Sequence, residues 1–386
     1  MKILFVADGR SPITLNWLRY FVERGDEVHL ASTFACKPDL NLASLTLTPV
    51  AFSGAKTASA TASKPRGGIW GASTLKLRTA IRQWLGPLTV ARAARRLRPL
   101  IERIQPDLVH AMRIPYEGML AADAYTGVPL LVSVWGNDFT LHAPSTTGMR
   151  HYTEWTLKVA DALHTDCLRD VRLAKKLGFA AQKPTLVTPG NGGIRSEIFY
   201  PASTPADAPV VFNPRGFRAY VRNDAFFQAI PLVLKERPDA RFQCASMAGE
   251  AQALTWMREL GIEQAVTLLP QRSHAEMADV FRTAQVMVSP STHDGTPNSL
   301  LEAMACGCFP VVGDLDSIRE WITPNKNGLL VDPGDSAALA AAILRGLNDP
   351  ALRETAAQEN AAIIAGRAEY TQNMNRAAEF YRELVS

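Results

Sequence analysis

The chain has 386 residues, 47% of them hydrophobic and 20% charged, with a formal net charge of +4. That length suits two domains, the composition is that of a globular protein, and so mild a charge gives no argument for nucleic acid, of which no motif is present. Five scattered cysteines do not make a secreted disulfide framework, no stretch approaches the roughly 20 apolar residues of a membrane span, and the apolar run after Met1 is too short for a signal peptide, so a cytoplasmic protein is expected.

Residues 3–7 read as a buried strand that ends in Asp8-Gly9-Arg10-Ser11-Pro12. A helix follows to about Arg24 and is stopped by Gly25; residues 27–32 form the next strand. No GxGxxG fingerprint occurs, which disfavours a dinucleotide-binding dehydrogenase. Arg10 and Ser11 either face a cleft or form an ordinary turn. Residues 52–72, rich in Ala, Ser, Thr, Gly and Lys, are expected to form a mobile loop. Residues 64–103 carry ten basic residues and one acid, interleaved with Trp70, Trp84 and several Leu. Such a stretch is expected to touch an anionic membrane surface, the competing reading being a solvated helix face.

Residues 107–111 form a strand that includes His110, and residues 129–134 form another that runs into Trp135-Gly136-Asn137-Asp138. In a parallel sheet both ends open on one edge, hence on one cleft. His110 is either a hydrogen-bonded strand-end histidine or a cleft residue; Trp135 is either core packing or a stacking platform for a sugar. Strands at 161–165 and 184–187 follow. Residues 201–209, rich in Pro, Ala, Ser and Asp, suit an interdomain linker. A second α/β series then runs through strands at 210–213, 241–244, 266–269, 286–289, 310–312 and 328–331. The tail from 351 to 386 reads as helical, with Tyr370, Phe380 and Tyr381 as apolar anchors.

Within the second series, residues 284–289 lead from a strand into a loop and a short helix. Thr296 is the expected N-cap, Pro297 the first helical residue and Gly307 the C-terminal glycine. The carboxyl end of a strand facing the amino end of a helix is where open α/β sheets bind anions. Asp294 precedes this helix and Glu302 lies in it, on the face shared with Asn298 and Ser299 and leaning toward the same end. Carboxylates beside an anion site suit a ligand with hydroxyls on both sides of a phosphate, and a sugar nucleotide has that layout; the competing reading, favoured on these residues alone, is a capped loop with two solvated acids. Asp314-Leu315-Asp316 spells DxD but falls in a later loop and is read as a decoy. Cys306 and Cys308, without a partner His or Cys, read as buried small residues rather than metal ligands.

The run DGTPNSLLEAMACGCFPVV, from Asp294 to Val312, resembles the paired-acid motif EGxxxxxxEAMAxGxPVV of family 4 glycosyltransferases. The resemblance implies a GT-B fold: two Rossmann-like α/β domains facing across a cleft. Residues 1–205 would bind acceptor, 206–365 would bind the nucleotide sugar, and the helix 366–386 would cross back. It assigns Glu302 to the ribose and Asp294 to the transferred sugar, with Gly295, Thr296, Pro297, Asn298, Ser299, Leu300 and Leu301 around the diphosphate and sugar. It sets the backbone of Pro270, Gln271 and Arg272 against the base. It makes Arg215 and Arg222 the diphosphate clamp, with Arg218 the competitor for the second place; fixed cations stabilise charge on a leaving diphosphate. On the acceptor side it points to Gly9, Arg10, Ser11, His110, Trp135, Asn137 and Asp138. Two departures stand out: the first acid is Asp rather than Glu, and Trp135 stands where a His is frequent.

The resemblance therefore implies a retaining transferase that uses a nucleotide-diphosphate sugar and needs neither metal nor cofactor. The acceptor would be a glycan, a lipid-linked or a small molecule, as in cell-surface polysaccharide or glycoconjugate synthesis. The membrane face would be the inner face of the plasma membrane. The alternatives are a non-catalytic sugar-nucleotide or glycan-binding protein and a GT-B sugar-nucleotide epimerase.

Overall fold

The computed structural model describes residues 1–51, 53, 82–203 and 208–386. The expected loop at 52–72, the part of the basic stretch before Arg82 and four positions of the expected linker lie almost wholly outside the described residues. The chain divides into two compact units: residues 1–192 with 371–386, and residues 193–370.

The first unit holds a seven-stranded parallel sheet in the order β3-β2-β1-β4-β5-β6-β7. Its strands are β1 Lys2–Ala7, β2 Glu27–Ser32, β3 Ser44–Leu47, β4 Leu108–Ala111, β5 Leu130–Val134, β6 Ala162–Thr165 and β7 Thr185–Val187. The central strands are apolar runs buried on both faces, as a parallel sheet covered by helices requires. Strand β3 was not legible in the sequence. It is a short edge strand whose Leu45 and Leu47 stay exposed, so no buried run marks it. The direction of succession reverses between β1 and β4, and that switch point is the expected ligand crevice of an open α/β sheet.

The second unit holds a six-stranded parallel sheet in the order β10-β9-β8-β11-β12-β13. Its strands are β8 Val210–Asn213, β9 Arg241–Cys244, β10 Val266–Leu268, β11 Val286–Ser289, β12 Phe309–Gly313 and β13 Leu329–Val331. Its switch point lies between β8 and β11.

The tail is two helices, Pro350–Arg367 and Tyr370–Val385. The units divide at 192/193 and 370/371, against the boundaries 205/206 and 365/366 expected from the sequence. Backbone pairing gives the reason. The Ile194 N–H donates to the Ala368 carbonyl at 2.6 Å and the Tyr370 N–H donates to Ile194 at 3.0 Å, so residues just past Gly193 are already pinned to the second unit. The last helix buries Met374, Ala377, Ala378 and Tyr381, a helical stripe, within the first unit. There the Tyr381 ring stacks on Phe21 at 4.6 Å between centroids.

Candidate functional site

In the second unit the motif loop and its helix form one cluster. The helix spans Asn298–Ala305, so Pro297, not Thr296, is the N-cap residue. Thr296 is held elsewhere: its Oγ1 accepts from Trp321 Nε1 at 2.9 Å, which fixes the loop to the domain core. Ser317 Oγ donates to the Asp294 carbonyl at 2.7 Å from the same side. Gly307 does close the helix, at φ +76, with the Cys308 N–H returning to the Ala303 carbonyl at 2.9 Å.

Arg215 sits opposite this helix start. Asn213 at the end of β8 accepts from the Arg215 N–H at 3.0 Å and donates to Asn223 Oδ1, which ties both ends of the intervening loop. The guanidinium then reaches Asp294, Nη2 lying 2.9 Å from both carboxylate oxygens, and Nη1 donates to Ser299 Oγ at 3.3 Å. The N–H groups of Asn298 and Ser299 have no acceptor among the described residues. Leu300 and Leu301 correct the sequence reading. Their N–H groups are taken by the Pro297 carbonyl and their side chains are fully buried, so they support the helix rather than face a ligand.

Glu302 is buried within this helix, 8% exposed, and its carboxylate has no hydrogen-bond partner among the described residues. Burial pushes its pKa up to about 7, against the pull of Arg215. Its oxygens are not fully enclosed, so they stay open to donors from a ligand. Pro270 and Gln271 lie exposed beyond the end of β10, and Arg272 lies beside them, 3.6 Å from Glu276. Three strand spacings separate β10 from β11, about 14 Å. Arg222 departs from the cluster: its guanidinium pairs with Asp224 at 2.7 Å on the surface, and none of its hydrogen bonds reaches Arg215 or Asp294. Arg218 is exposed and donates to the Arg215 carbonyl at 3.1 Å. Asp314 of the DxD run is held by Arg319.

In the first unit a pocket of about 310 Å³ opens at the switch point, lined by residues that follow β1, β2, β4 and β5, together with Arg82 and Gln83. Arg10, Ser11 and Trp135 line it. Other expected residues do not. A Cβ at Gly9 would meet Cys36 Sγ at 2.5 Å, so that glycine serves close packing. His110 is wholly enclosed, Nε2 on Ser133 Oγ at 2.7 Å and Nδ1 on the Tyr381 hydroxyl. Ser133 continues to His164 and His164 to Thr188, a buried polar chain through the sheet. Burial lowers the pKa of both histidines, and that of His164 reaches about 4. His110 is thus a core residue. Asp138 is also fully buried: it accepts from the Trp135 N–H at 3.0 Å and from Arg113 Nε at 3.0 Å, and burial raises its pKa. It clamps two loops together and is not a free base. Asn137 accepts from Arg113 Nη2 at 3.2 Å.

Sequence reading missed Phe34, Arg82, Arg113, Tyr116, Glu117 and His142, all of which line the pocket. Only Arg82 belonged to a stretch already singled out, for its charge. Burial and the two arginines Arg113 and Arg82 push His142 down to about 3, so it is a neutral imidazole in this wall. Elsewhere Asp166, Cys167 and Asp170 lie within metal-ligand distance of one another, but Arg169 already holds Asp170 at 2.8 Å.

Residues 211–349 match the family profile described as "Glycosyl transferases group 1", and residues 2–166 match "Glycosyl transferase 4-like". The chain belongs to this glycosyltransferase family. It is 28% identical over 251 residues to a D-inositol 3-phosphate glycosyltransferase of Thermobispora bispora, a match that covers 60% of this chain and 58% of that relative. The chain thus spans less than two thirds of that relative's length. Its fold is similar to that of sucrose-phosphate synthase from Thermosynechococcus elongatus (TM-score 0.76, 18% identity, 100% of this chain and 99% of the other). It is also similar to that of Anabaena HepE in complex with UDP-glucose (TM-score 0.72, 16% identity, 99% and 100%). The two parallel-sheet units of this chain are therefore those of the GT-B fold.

Proposed function

We propose that this chain transfers a sugar, with retention, from a nucleotide-diphosphate sugar to a hydroxyl of a glycan, lipid-linked or small-molecule acceptor. Glu302 carries the reading. No described residue donates to its carboxylate, whose oxygens are not fully enclosed, and it lies in the helix whose first N–H groups are unpartnered and whose start Arg215 faces. A ribose diol brings two donors to Glu302, and the adjoining diphosphate brings negative charge to Arg215, Asn298 and Ser299. The row of about 14 Å from β10 to β11 leaves the base beside Pro270, Gln271 and Arg272. Asp294 is left for hydroxyls of the sugar.

In the reaction the bond from the anomeric carbon to the diphosphate oxygen breaks and a bond to the acceptor oxygen forms on the same face. The acceptor proton passes to the leaving diphosphate, so no protein base is needed. Arg215 and the helix start hold the charge that develops on the leaving group. That positive charge comes from the protein, and the reading needs no metal or cofactor.

The first unit would take the acceptor. Near its pocket Trp84 is 69% exposed and Leu88 77% exposed, next to Arg92, Arg95, Arg96, Arg98 and Arg103 on the surface of the helix Val90–Ile104. Exposed apolar residues beside a cationic face suit an anionic bilayer surface, here the cytoplasmic face of a plasma membrane, and acceptors for surface polysaccharide or glycoconjugate synthesis are found there. No helix among the described residues is long and apolar enough to cross a membrane. Vesicle flotation tests the contact: the protein should float with anionic vesicles at low salt and be released at high salt. No flotation overturns it.

The donor reading is tested by thermal shift with UDP, GDP, ADP and their sugars on wild type and Glu302→Ala. HepE was solved with UDP-glucose, so uridine nucleotides come first. One diphosphate family should raise Tm in the wild type and not in the variant, and slow donor hydrolysis should follow the same preference. No response to any nucleotide overturns the reading.

A further inference from the structure

The pocket of the first unit has a charge character that its motifs do not announce. Three guanidinium groups, those of Arg10, Arg82 and Arg113, line a space of about 310 Å³. Two of them have carboxylate partners: Arg10 pairs with Asp8 at 2.9 Å and Arg113 with Asp138 at 3.0 Å. Arg82 has no carboxylate partner among the described residues, and residues 54–81, which precede it, contain no Asp or Glu. Its side chain lies over Tyr116 at 4.6 Å and faces Phe34 at 5.4 Å, which holds the guanidinium without neutralising it.

The remaining acid, Glu117, offers little compensation. It is fully enclosed, accepts from Thr33 Oγ1 at 2.7 Å, and burial raises its pKa. The wall also has donors in excess. Arg82 Nε and Trp135 Nε1 are buried without an acceptor among the described residues. A neutral sugar brings roughly as many donors as acceptors and leaves that excess in place. An anionic oxygen group supplies acceptors only and matches both the charge and the unpaired donors. The rings of Phe34, Tyr116 and Trp135 give the sugar body an apolar face to lie on.

We infer that the acceptor of this enzyme carries an anionic group, a phosphate or a carboxylate, that is recognised by Arg82 together with Arg113 beside the Trp135 indole. The inference rests on the glycosyltransferase reading above and narrows its acceptor class.

The test uses the full chain and calorimetry at constant ionic strength, with glucose, glucose 6-phosphate and glucuronate, each with and without UDP. Either anionic sugar should bind at least about tenfold tighter than glucose, and that margin should vanish in Arg82→Gln and largely return in Arg82→Lys. Trp135→Phe keeps the ring, removes the indole N–H and should weaken the anion several-fold, which gives a second variant should Arg82→Gln not fold. Phosphatidylglycerol vesicles separate the sources. Anion binding by soluble sugars places the charge on a soluble acceptor, and Arg82-dependent binding to vesicles alone places it on a lipid headgroup; both uphold the inference. Equal affinity for charged and neutral sugars, or a margin untouched by either variant, overturns it. The UDP response tells the two readings apart. If it persists while the margin is absent, only the acceptor class is wrong. If the margin is present without a UDP response, the transferase reading fails and the anion pocket stands.

Discussion

The two ligand-facing regions of this molecule are built in opposite ways. In the second unit one short run, Asp294 to Glu302, supplies two acids, a helix start and the turn between them, and Arg215 joins it from the loop after β8. In the first unit the pocket draws on the loops after four strands and on Arg82, and its character is cationic and aromatic. On the proposed function, the contrast follows from what each would hold. A nucleoside diphosphate has fixed chemistry, so one local pattern can be reused for it; an acceptor differs from enzyme to enzyme, and loops on a fixed sheet edge supply the variation.

The contrast breaks most sharply at Arg215. Arg215→Ala removes the cation that faces the helix start among the described residues, and kcat should fall about 10²- to 10³-fold, the range seen when a charge-stabilising donor is lost. Arg215→Lys should recover only part, because a point charge cannot span Asp294 and Ser299 as the guanidinium does. Single-turnover transfer or donor hydrolysis measures both. A fall below about tenfold would mean that the charge on the leaving group is held by something other than this cluster.

Glu302 sharpens the same side through pH. Its pKa of about 7 in the fold lies above the usual carboxylate value because it is buried. The folded chain therefore holds this proton more tightly than the unfolded chain. Its contribution to stability is greatest below about 4.5, declines as pH rises toward about 7 and levels off above that. Diol binding works the other way, since hydroxyl donors favour the ionised form, so nucleotide affinity should climb between about pH 6 and 8. Glu302→Gln should flatten that profile and weaken binding about ten- to a hundredfold. A profile that stays unchanged in the variant would assign the titration to another group.

On the other side, His110 shows how a motif can mislead. The resemblance pointed to a cleft residue while its strand-end position also allowed a hydrogen-bonded core histidine; the fold takes the second, and the chain that satisfies it includes Tyr381, 271 residues later. Tyr381→Phe leaves the buried Nδ1 of His110 without that partner, at a cost of about 1–3 kcal/mol. Tm should drop by several degrees, while KM for donor and acceptor should stay unchanged in the folded enzyme. A changed acceptor KM at unchanged Tm would return His110 to the binding site.

Twelve of the thirteen strands among the described residues could be read from short stretches of apolar residues, most plainly at the centres of both parallel sheets, where the strands are buried on both faces. The pairing of Asp294 and Glu302 could be read because their spacing lies within one loop and helix. The pocket of the first unit could not. Arg113, Tyr116 and Glu117 sit in an irregular turn after β4, where Tyr116 takes φ +72, and no periodicity marks such a turn. Leu300 and Leu301 were misread for the converse reason: a motif states which residues recur, not which of them face the ligand. The expected N-cap at Thr296 failed because its hydroxyl was already engaged by Trp321, a tertiary contact that overrides local capping preference.

The smallest effect is expected at Arg222, and it tests the comparison most finely. The family resemblance implied it, with Arg218 as competitor, as the second cation of the diphosphate clamp; the fold gives it to Asp224, on the surface, with both side chains about two-fifths exposed. An exposed pair of this kind contributes about 0–1 kcal/mol. Arg222→Gln should therefore leave stability nearly unchanged and alter donor KM by no more than about threefold. Asp224→Asn discriminates further, because it frees the guanidinium without removing it. If Arg222 has no part in donor binding, both variants behave like wild type. If donor affinity rises in Asp224→Asn and falls tenfold in Arg222→Gln, then Asp224 competes with the diphosphate for this arginine, and the second unit too would rely on a residue that no single helix start positions.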